Sequence, residues 1–160
     1  DPVTGVHNRA FFDEMLQVQL AAARRDGTPF SVMIVDVDHF KRINDTHGHF
    51  EGDRGLRVIS EALAAAARAS DMVCRYGGDE FCVILPGTLL DSAARLAERI
   101  REEVPAACAK AGIGGGRRVT VTIGLAACPA DGVEKESLMS AADRRLYQGK
   151  QQGRDRVLAA

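Results

Sequence analysis

The stretch "RYGGDEF", residues 75–81, sets two glycines directly before two adjacent carboxylates, between the apolar runs of residues 72–76 and 81–85. Neighbouring acids repel one another and cannot both enter a core without a counter-charge, so the chain has to turn there and keep them at the tip. Two glycines between short apolar runs are the signal for a tight β-hairpin, because glycine reaches positive φ without steric cost. This stretch therefore demands an antiparallel strand pair with acids at its turn, and hence a fold built around a sheet.

A further strand signal, "FSVMIVDV" at residues 30–37, reads as buried on both faces and runs into Asp36 and Asp38. Helical patterns lie on either side of it. Asn8 is placed to cap a helix whose apolar positions are Phe12, Leu16, Leu20 and Ala23, ended by Asp26, Gly27 and Pro29. Residues 39–53, "HFKRINDTHGHFEGD", are polar and twice interrupted by glycine, so they read as a loop beside the acids; a helix with Leu56, Ile59 and Leu63 on one face follows. Residues 93–109 repeat the amphipathic pattern, "GIGGGRR" at 112–118 reads as a flexible loop, 119–127 as a strand and 138–147 as a helix. Strands alternating with helices predict an α/β or α+β fold with a central mixed sheet of about four or five strands and helices on at least one face.

Composition narrows the function classes. A chain of 160 residues fits a single domain, and a net charge of −1 offers no basic surface for nucleic acid or lipid, so an anionic ligand needs locally placed cations. No apolar run approaches the ~18 residues that span a bilayer. Cys74, Cys82, Cys108 and Cys128 show no CxxC or Cys/His spacing, which predicts reduced thiols and a cytoplasmic setting. The chain begins at Asp1 without an initiator methionine, which reads as one domain excised from a longer protein.

Two segments bring carboxylates to the ends of apolar strands, Asp36 with Asp38 and Asp79 with Glu80. Residues i and i+2 of a strand face one side, so Asp36 and Asp38 project together if the strand persists. Acids brought that close call for a proton or a hard cation such as Mg²⁺ or Mn²⁺, which completes its shell with water and phosphates. Either pair alone reads first as a solvated turn, since acids often populate turns, and it is two such pairs flanking one polar, glycine-rich loop that weigh against that reading. Gly77 and Gly78, lacking Cβ atoms, would let a flat group approach the backbone, and Lys41, Lys150 and Arg154 supply counter-cations. Asn44 and Asp53 could read a base edge; equally, Asn44 suits a turn and Asp53 a helix N-terminus.

Six stretches, "DPVTGVHNR", "DVDHFKRIND", "HGHFEGDRGL", "RYGGDEF", "VTVTIGLA" and "ADRRLYQGKQQGRD", occur in this order over nearly the whole chain. Together they closely resemble the GGDEF domain of bacterial diguanylate cyclases. The resemblance implies a palm-like fold with a mostly antiparallel mixed sheet surrounded by helices, over residues 1–160 as a single catalytic domain. It also implies a homodimer whose halves each bind one GTP and together make cyclic di-GMP and two pyrophosphates. By the same resemblance, Asp36, the Val37 carbonyl and Asp79 would hold Mg²⁺ or Mn²⁺, two ions per site, and Glu80 would assist metal binding or deprotonation. Gly77 and Gly78 would accommodate the nucleotide, Asn44 and Asp53 would read guanine, and Leu56 would line the base pocket. Phe40 and Lys41 would shape the phosphate pocket, and Lys150 with Arg154 would reach the triphosphate. Arg68 and Asp71 match an RxxD inhibitory motif for the product, with Arg99 as its secondary arginine.

Departures from the pattern are few. Val3 and Val6 stand where leucine is common, Asp79 replaces a common glutamate, and His39 precedes Phe40. The resemblance implies a fused sensory domain, with no nucleic-acid partner and no membrane contact by this domain. The alternative is a non-catalytic module that binds GTP or cyclic di-GMP as a sensor; the intact signature argues for the cyclase.

Overall fold

The computed structural model describes all residues, 1–160. Ten elements follow in order: α1 (Arg9–Asp26), β1 (Phe30–Val37), α2 (Phe40–His47), α3 (His49–Ala66), β2 (Met72–Gly77), β3 (Glu80–Pro86), α4 (Leu90–Lys110), β4 (Val121–Cys128), α5 (Lys135–Gln151) and β5 (Val157–Leu158). The sheet order is β2-β3-β1-β4-β5. All pairings are antiparallel except β4 with β5.

β1 lies at the centre, and its side-chain alternation divides the interior into two cores. Met33, Val35 and Val37 pack on the side of α3 and α4, with Leu56, Ile59, Phe81 and Val83. Val32 and Ile34 pack on the side of α1 and α5, with Phe12, Leu16, Cys82 and Leu146. Both faces are thus covered by helices, which explains why all of β1 is buried. The same alternation turns Asp36 and Glu80 toward the α1/α5 side, since each is even-numbered on a strand whose even positions face that way.

α1 forms as its caps predict. The Asn8 side chain accepts the Phe11 N–H at 3.0 Å, and Gly27 ends the helix at φ 73. The segment 39–53 departs from the loop expectation. It forms α2 and the start of α3, broken only at Gly48 with φ 85. A two-turn helix whose one buried residue is Ile43 carries no apolar period, so sequence pattern reads it as loop. α5 is also longer than expected and brings Lys150 into its last turn. β5 is too short to leave a strand pattern.

The four cysteines are free and buried. Cys74 and Cys82 are cross-strand partners in β2 and β3. Burial pushes the Cys74 thiol up to about 12 and raises Cys82 as well, so both act as small core hydrophobes.

Candidate functional site

The antiparallel register sets Asp36 of β1 directly opposite Glu80 of β3 on one side and Thr122 of β4 on the other. Asp36 is 7% exposed and accepts from Lys150 Nζ at 2.8 Å. Burial pushes its carboxyl up to about 6; Lys150 opposes the rise, and the charges of Asp79 and Glu80 add to it. Burial likewise raises Glu80, with Lys150 again opposing. Asp36, Asp79 and Glu80 therefore share one electrostatic neighbourhood, in which Lys150 bonds Asp36 and, with Arg9, favours the charged form of Glu80. The Val37 N–H donates to the Asp79 carbonyl at 3.2 Å, tying the turn to the end of β1.

Asp38 is not part of that group. β1 ends at Val37, and the Asp38 carboxylate accepts from Thr120 Oγ1 and Thr122 Oγ1 at 2.7 Å each and from the Asp155 N–H at 3.1 Å. The expectation that Asp36 and Asp38 project together depended on the strand persisting and is corrected: the strand ends before Asp38, which accepts from three donors and anchors the chain after α5. That anchor helps place Arg154, which adopts φ 64 and donates its N–H to the Gly149 carbonyl at 3.0 Å. No side-chain hydrogen bond or ion pair engages the Arg154 guanidinium or the exposed Lys41 ammonium.

At the hairpin, Gly77 pairs with Glu80, so Gly78 and Asp79 form the two-residue turn. Gly78 sits at φ 51, the left-handed region that glycine tolerates best. Gly77 has no such requirement, and a Cβ at either glycine would meet nothing within 4 Å. Local conformation thus explains Gly78 but not Gly77, whose missing side chain only leaves open space above the turn.

Arg75 is a residue of this site to which sequence reasoning assigned no role, although it lies within the opening stretch. Its Nε and Nη2 donate to the Gly78 carbonyl at 3.0 and 2.8 Å, and its Nη1 donates to Asp1 Oδ1 at 3.2 Å. Asp1 Oδ1 also accepts from the Thr4 N–H at 2.9 Å and from Thr4 Oγ1 at 2.8 Å. The first turn of the chain is therefore stapled to the acidic hairpin. An arginine next to a glycine turn was the available signal.

On the other side of the acids, Phe40 opens α2 and packs against the core. The Asn44 carboxamide lies over Gly52 so closely that a Cβ there would collide with Asn44 Oδ1. Gly52 thus lets α2 and α3 approach, and the next residue, Asp53, is exposed beside Asn44. Leu56 is 1% exposed and packs in the core, so it supports this corner from beneath and offers no open wall.

A second concavity, about 210 Å³, is lined by Arg68, Asp71, Arg95 and Arg99 among others. Asp71 Oδ2 accepts the Arg68 backbone N–H at 2.7 Å, which closes the turn and leaves the Arg68 guanidinium unpaired. Arg99 donates to the Ala66 carbonyl and lies 3.8 Å from Glu103. The structure therefore brings Arg68, Asp71 and Arg99 together and adds Arg95, which sequence reasoning missed.

No cage of three or more acid, histidine or cysteine side chains is preformed at metal-binding distance. The donor set nonetheless fits Mg²⁺ or Mn²⁺, which need only one or two carboxylates when phosphates and water complete the shell. The mutual repulsion of Asp36, Asp79 and Glu80 is the kind that a hard cation relieves.

Comparison with known proteins bears on the fold and the family. The family model "Diguanylate cyclase, GGDEF domain" matches residues 1–156. The response regulator PleD of Caulobacter vibrioides is 42% identical over 161 residues, covering 99% of this chain and 35% of PleD. The diguanylate cyclase DgcP of Pseudomonas aeruginosa is 39% identical over 160 residues, covering 100% of this chain and 24% of DgcP. The chain thus spans about a third or less of these relatives. Among solved structures, the coiled coil and GGDEF domain of DgcB from Caulobacter crescentus, in complex with c-di-GMP, superposes with a TM-score of 0.88 at 32% identity. That match covers 100% of this chain and 84% of the DgcB chain. With the family model spanning all but the last four residues and the acidic hairpin, β1 and α5 meeting as described, the chain belongs to the GGDEF diguanylate cyclase domain family.

Proposed function

We propose that this chain is the catalytic domain of a diguanylate cyclase, condensing two GTP molecules into cyclic di-GMP and two pyrophosphates. The observation that carries this reading is the convergence of Asp36, Asp79 and Glu80 around Lys150, beside a glycine turn with open space above it. Asp36, the Val37 carbonyl and Asp79 would hold Mg²⁺ or Mn²⁺, two per site; bound there, the ions would neutralise phosphoryl charge and lower the pKa of the attacking hydroxyl.

The chain's own residues do the positioning. Lys150, Arg154 and Lys41 bind the triphosphate, with Phe40 shaping that pocket. Gly77 and Gly78 admit the nucleotide against the backbone, and Asn44 with Asp53 reads guanine, Asp53 accepting from its N–H donors. The 3′-hydroxyl of one GTP attacks the α-phosphorus of the other, and pyrophosphate leaves. Glu80 is placed either to hold a cation or to take the hydroxyl proton. Each domain supplies one GTP, so a homodimer is the active unit. Catalysis here is mainly orientation and electrostatic stabilisation.

Cyclic di-GMP would bind back at Arg68, Asp71 and Arg99 and inhibit. Guanidinium groups suit this task because they stack on guanine and fork to phosphate. The domain acts in the cytoplasm, fused to a sensory region that controls pairing; in support, curated relatives are about three to four times longer, and no helix here is long and apolar enough to cross a membrane.

The test is to incubate the domain at high concentration with GTP and Mg²⁺ and to resolve products by chromatography. Cyclic di-GMP is expected, and none from Glu80→Ala. GTP bound without product, even in enforced dimers, would replace this reading with a non-catalytic sensor.

A further inference from the structure

The face of α2 turned away from Asn44 borders a separate cavity of about 120 Å³, whose other wall is the glycine-rich loop before β4. Its lining includes His39, Arg42 and His47 from α2 and its cap, and Gly115, Arg117 and Arg118 from the loop. None of these belongs to the residues assigned to nucleotide, metal or inhibitor. Five cationic or protonatable side chains thus surround a space with one lining acid, Asp38, whose three hydrogen-bond donors, Thr120, Thr122 and the Asp155 N–H, are neutral and leave its charge in the balance.

The remaining charges leave a surplus of cation. Arg118 pairs with Asp155, which also accepts from Arg101 at 2.9 Å. Arg42 and Arg117 have no side-chain hydrogen bond and no ion pair; Asp45, one turn beyond Arg42 on α2, does not come within ion-pair distance. The loop adds donors. Gly114, Gly115 and Gly116 take φ values of 89, 57 and 85, and the N–H groups of the lining residues Gly115 and Arg118 donate to no acceptor in the chain. His47 lies so close to Gly115 that any Cβ there would meet the imidazole at 2.5 Å, so glycine is what lets the loop close over α2.

Unpaired guanidinium groups and free amide N–H groups around a small cavity are the chemistry of an oxyanion site. We propose that this cavity binds a phosphate-class oxyanion, either free phosphate or the terminal phosphate of a larger molecule, independently of the GTP and cyclic di-GMP sites. The cavity suits one tetrahedral anion and, being open to solvent, leaves the rest of a larger ligand outside.

The test is ¹⁵N NMR titration of the whole chain with inorganic phosphate at constant ionic strength set by chloride, with glycerol 2-phosphate as a second arm. Saturable shifts of the Gly114–Arg118 amides are expected, weakened at least tenfold in Arg42→Ala and in Arg117→Ala and retained in Arg154→Ala and Arg68→Ala. Phosphate binding as tightly as the monoester identifies the free ion as sufficient; tighter binding of the monoester identifies a larger ligand. Shifts that do not saturate, that chloride reproduces, or that survive in the Arg42→Ala/Arg117→Ala double variant overturn the proposal. So do shifts lost in Arg154→Ala, which would place the anion in the nucleotide site.

Discussion

Lys150 Nζ stands 2.8 Å from Asp36 Oδ2, bringing the last turn of α5 onto the end of β1, where the register sets Glu80 opposite Asp36. This lysine is the one cation bonded to a buried carboxylate that its two acidic neighbours repel. Because burial dominates, the Asp36 carboxyl lies near 6 rather than at 3.8. The folded chain therefore holds this proton more tightly than the unfolded chain does. Its contribution to stability is full below about 3.8, falls as pH rises through the window to about 6, and stays low above it. Thermal melts between pH 4 and 7 are expected to show this fall, and Asp36→Asn to flatten it. In the opposite direction, Mg²⁺-dependent GTP binding is expected to strengthen as pH rises toward 6 and then level off. Binding that weakens over that range would remove Asp36 from the metal set.

The two hairpin glycines separate conformation from access. Gly78→Ala forces a side chain into φ 51 and is expected to cost about 1–2 kcal/mol of stability, seen in urea unfolding. Gly77→Ala meets neither strain nor a neighbour, so its stability is expected within about 0.5 kcal/mol of the parent. Its GTP affinity is nevertheless expected to fall about tenfold or more, because the open space above the turn is filled.

Asn44 and Asp53 are expected to set base choice. Asp53→Ala removes an acceptor matched to guanine donors, at about 1–3 kcal/mol, or roughly a 5- to 150-fold loss of GTP over ATP preference. Competition binding with both nucleotides measures it; equal loss for GTP and ATP would indicate structural damage instead.

Arg68 and Asp71 are expected to part company on mutation. Arg68→Ala removes a free guanidinium, so folding and basal synthesis should persist while inhibition by cyclic di-GMP weakens at least tenfold. Asp71→Ala also removes the acceptor for the Arg68 N–H and is expected to lower stability by about 1 kcal/mol. Dose-inhibition curves beside thermal melts resolve the two effects.

The packing of α5 on β4 depends on small residues. A Cβ on Gly124 would strike the Ala142 carbonyl and the Leu146 N–H of α5, both backbone. Backbone cannot rotate aside, so Gly124→Ala is expected to cost about 1–3 kcal/mol. It should also separate Lys150 from Asp36, lowering GTP affinity although neither side chain is altered.

Much of this molecule is legible in its residues. The capped start of α1, the apolar β1 and the glycine turn depend on neighbours a few positions apart, and short-range chemistry is written directly in the sequence. The six ordered stretches also marked every residue proposed for the nucleotide, because each motif keeps its own internal spacing. α2 was not legible, since one buried isoleucine makes no period. Nor was the role of Arg75, whose acceptors at Asp1 and Gly78 are joined only when the chain's start folds back onto the hairpin.

The sequence by itself determined the strand pair, its acidic turn and the family. The resemblance already singled out Asp36 over Asp38; only the tertiary structure shows the different partners that the two carboxylates meet. Asp36 lies in β1 and Asp38 just beyond its end, and apolar patterning alone does not separate them. Asp36 meets Lys150 from 114 residues away, whereas Asp38 is taken by two threonines of the segment entering and beginning β4 and by the Asp155 N–H. The partners of each carboxylate are therefore set by which donors packing delivers to it, and those donors come from sheet register and helix placement, to which local sequence pattern is blind.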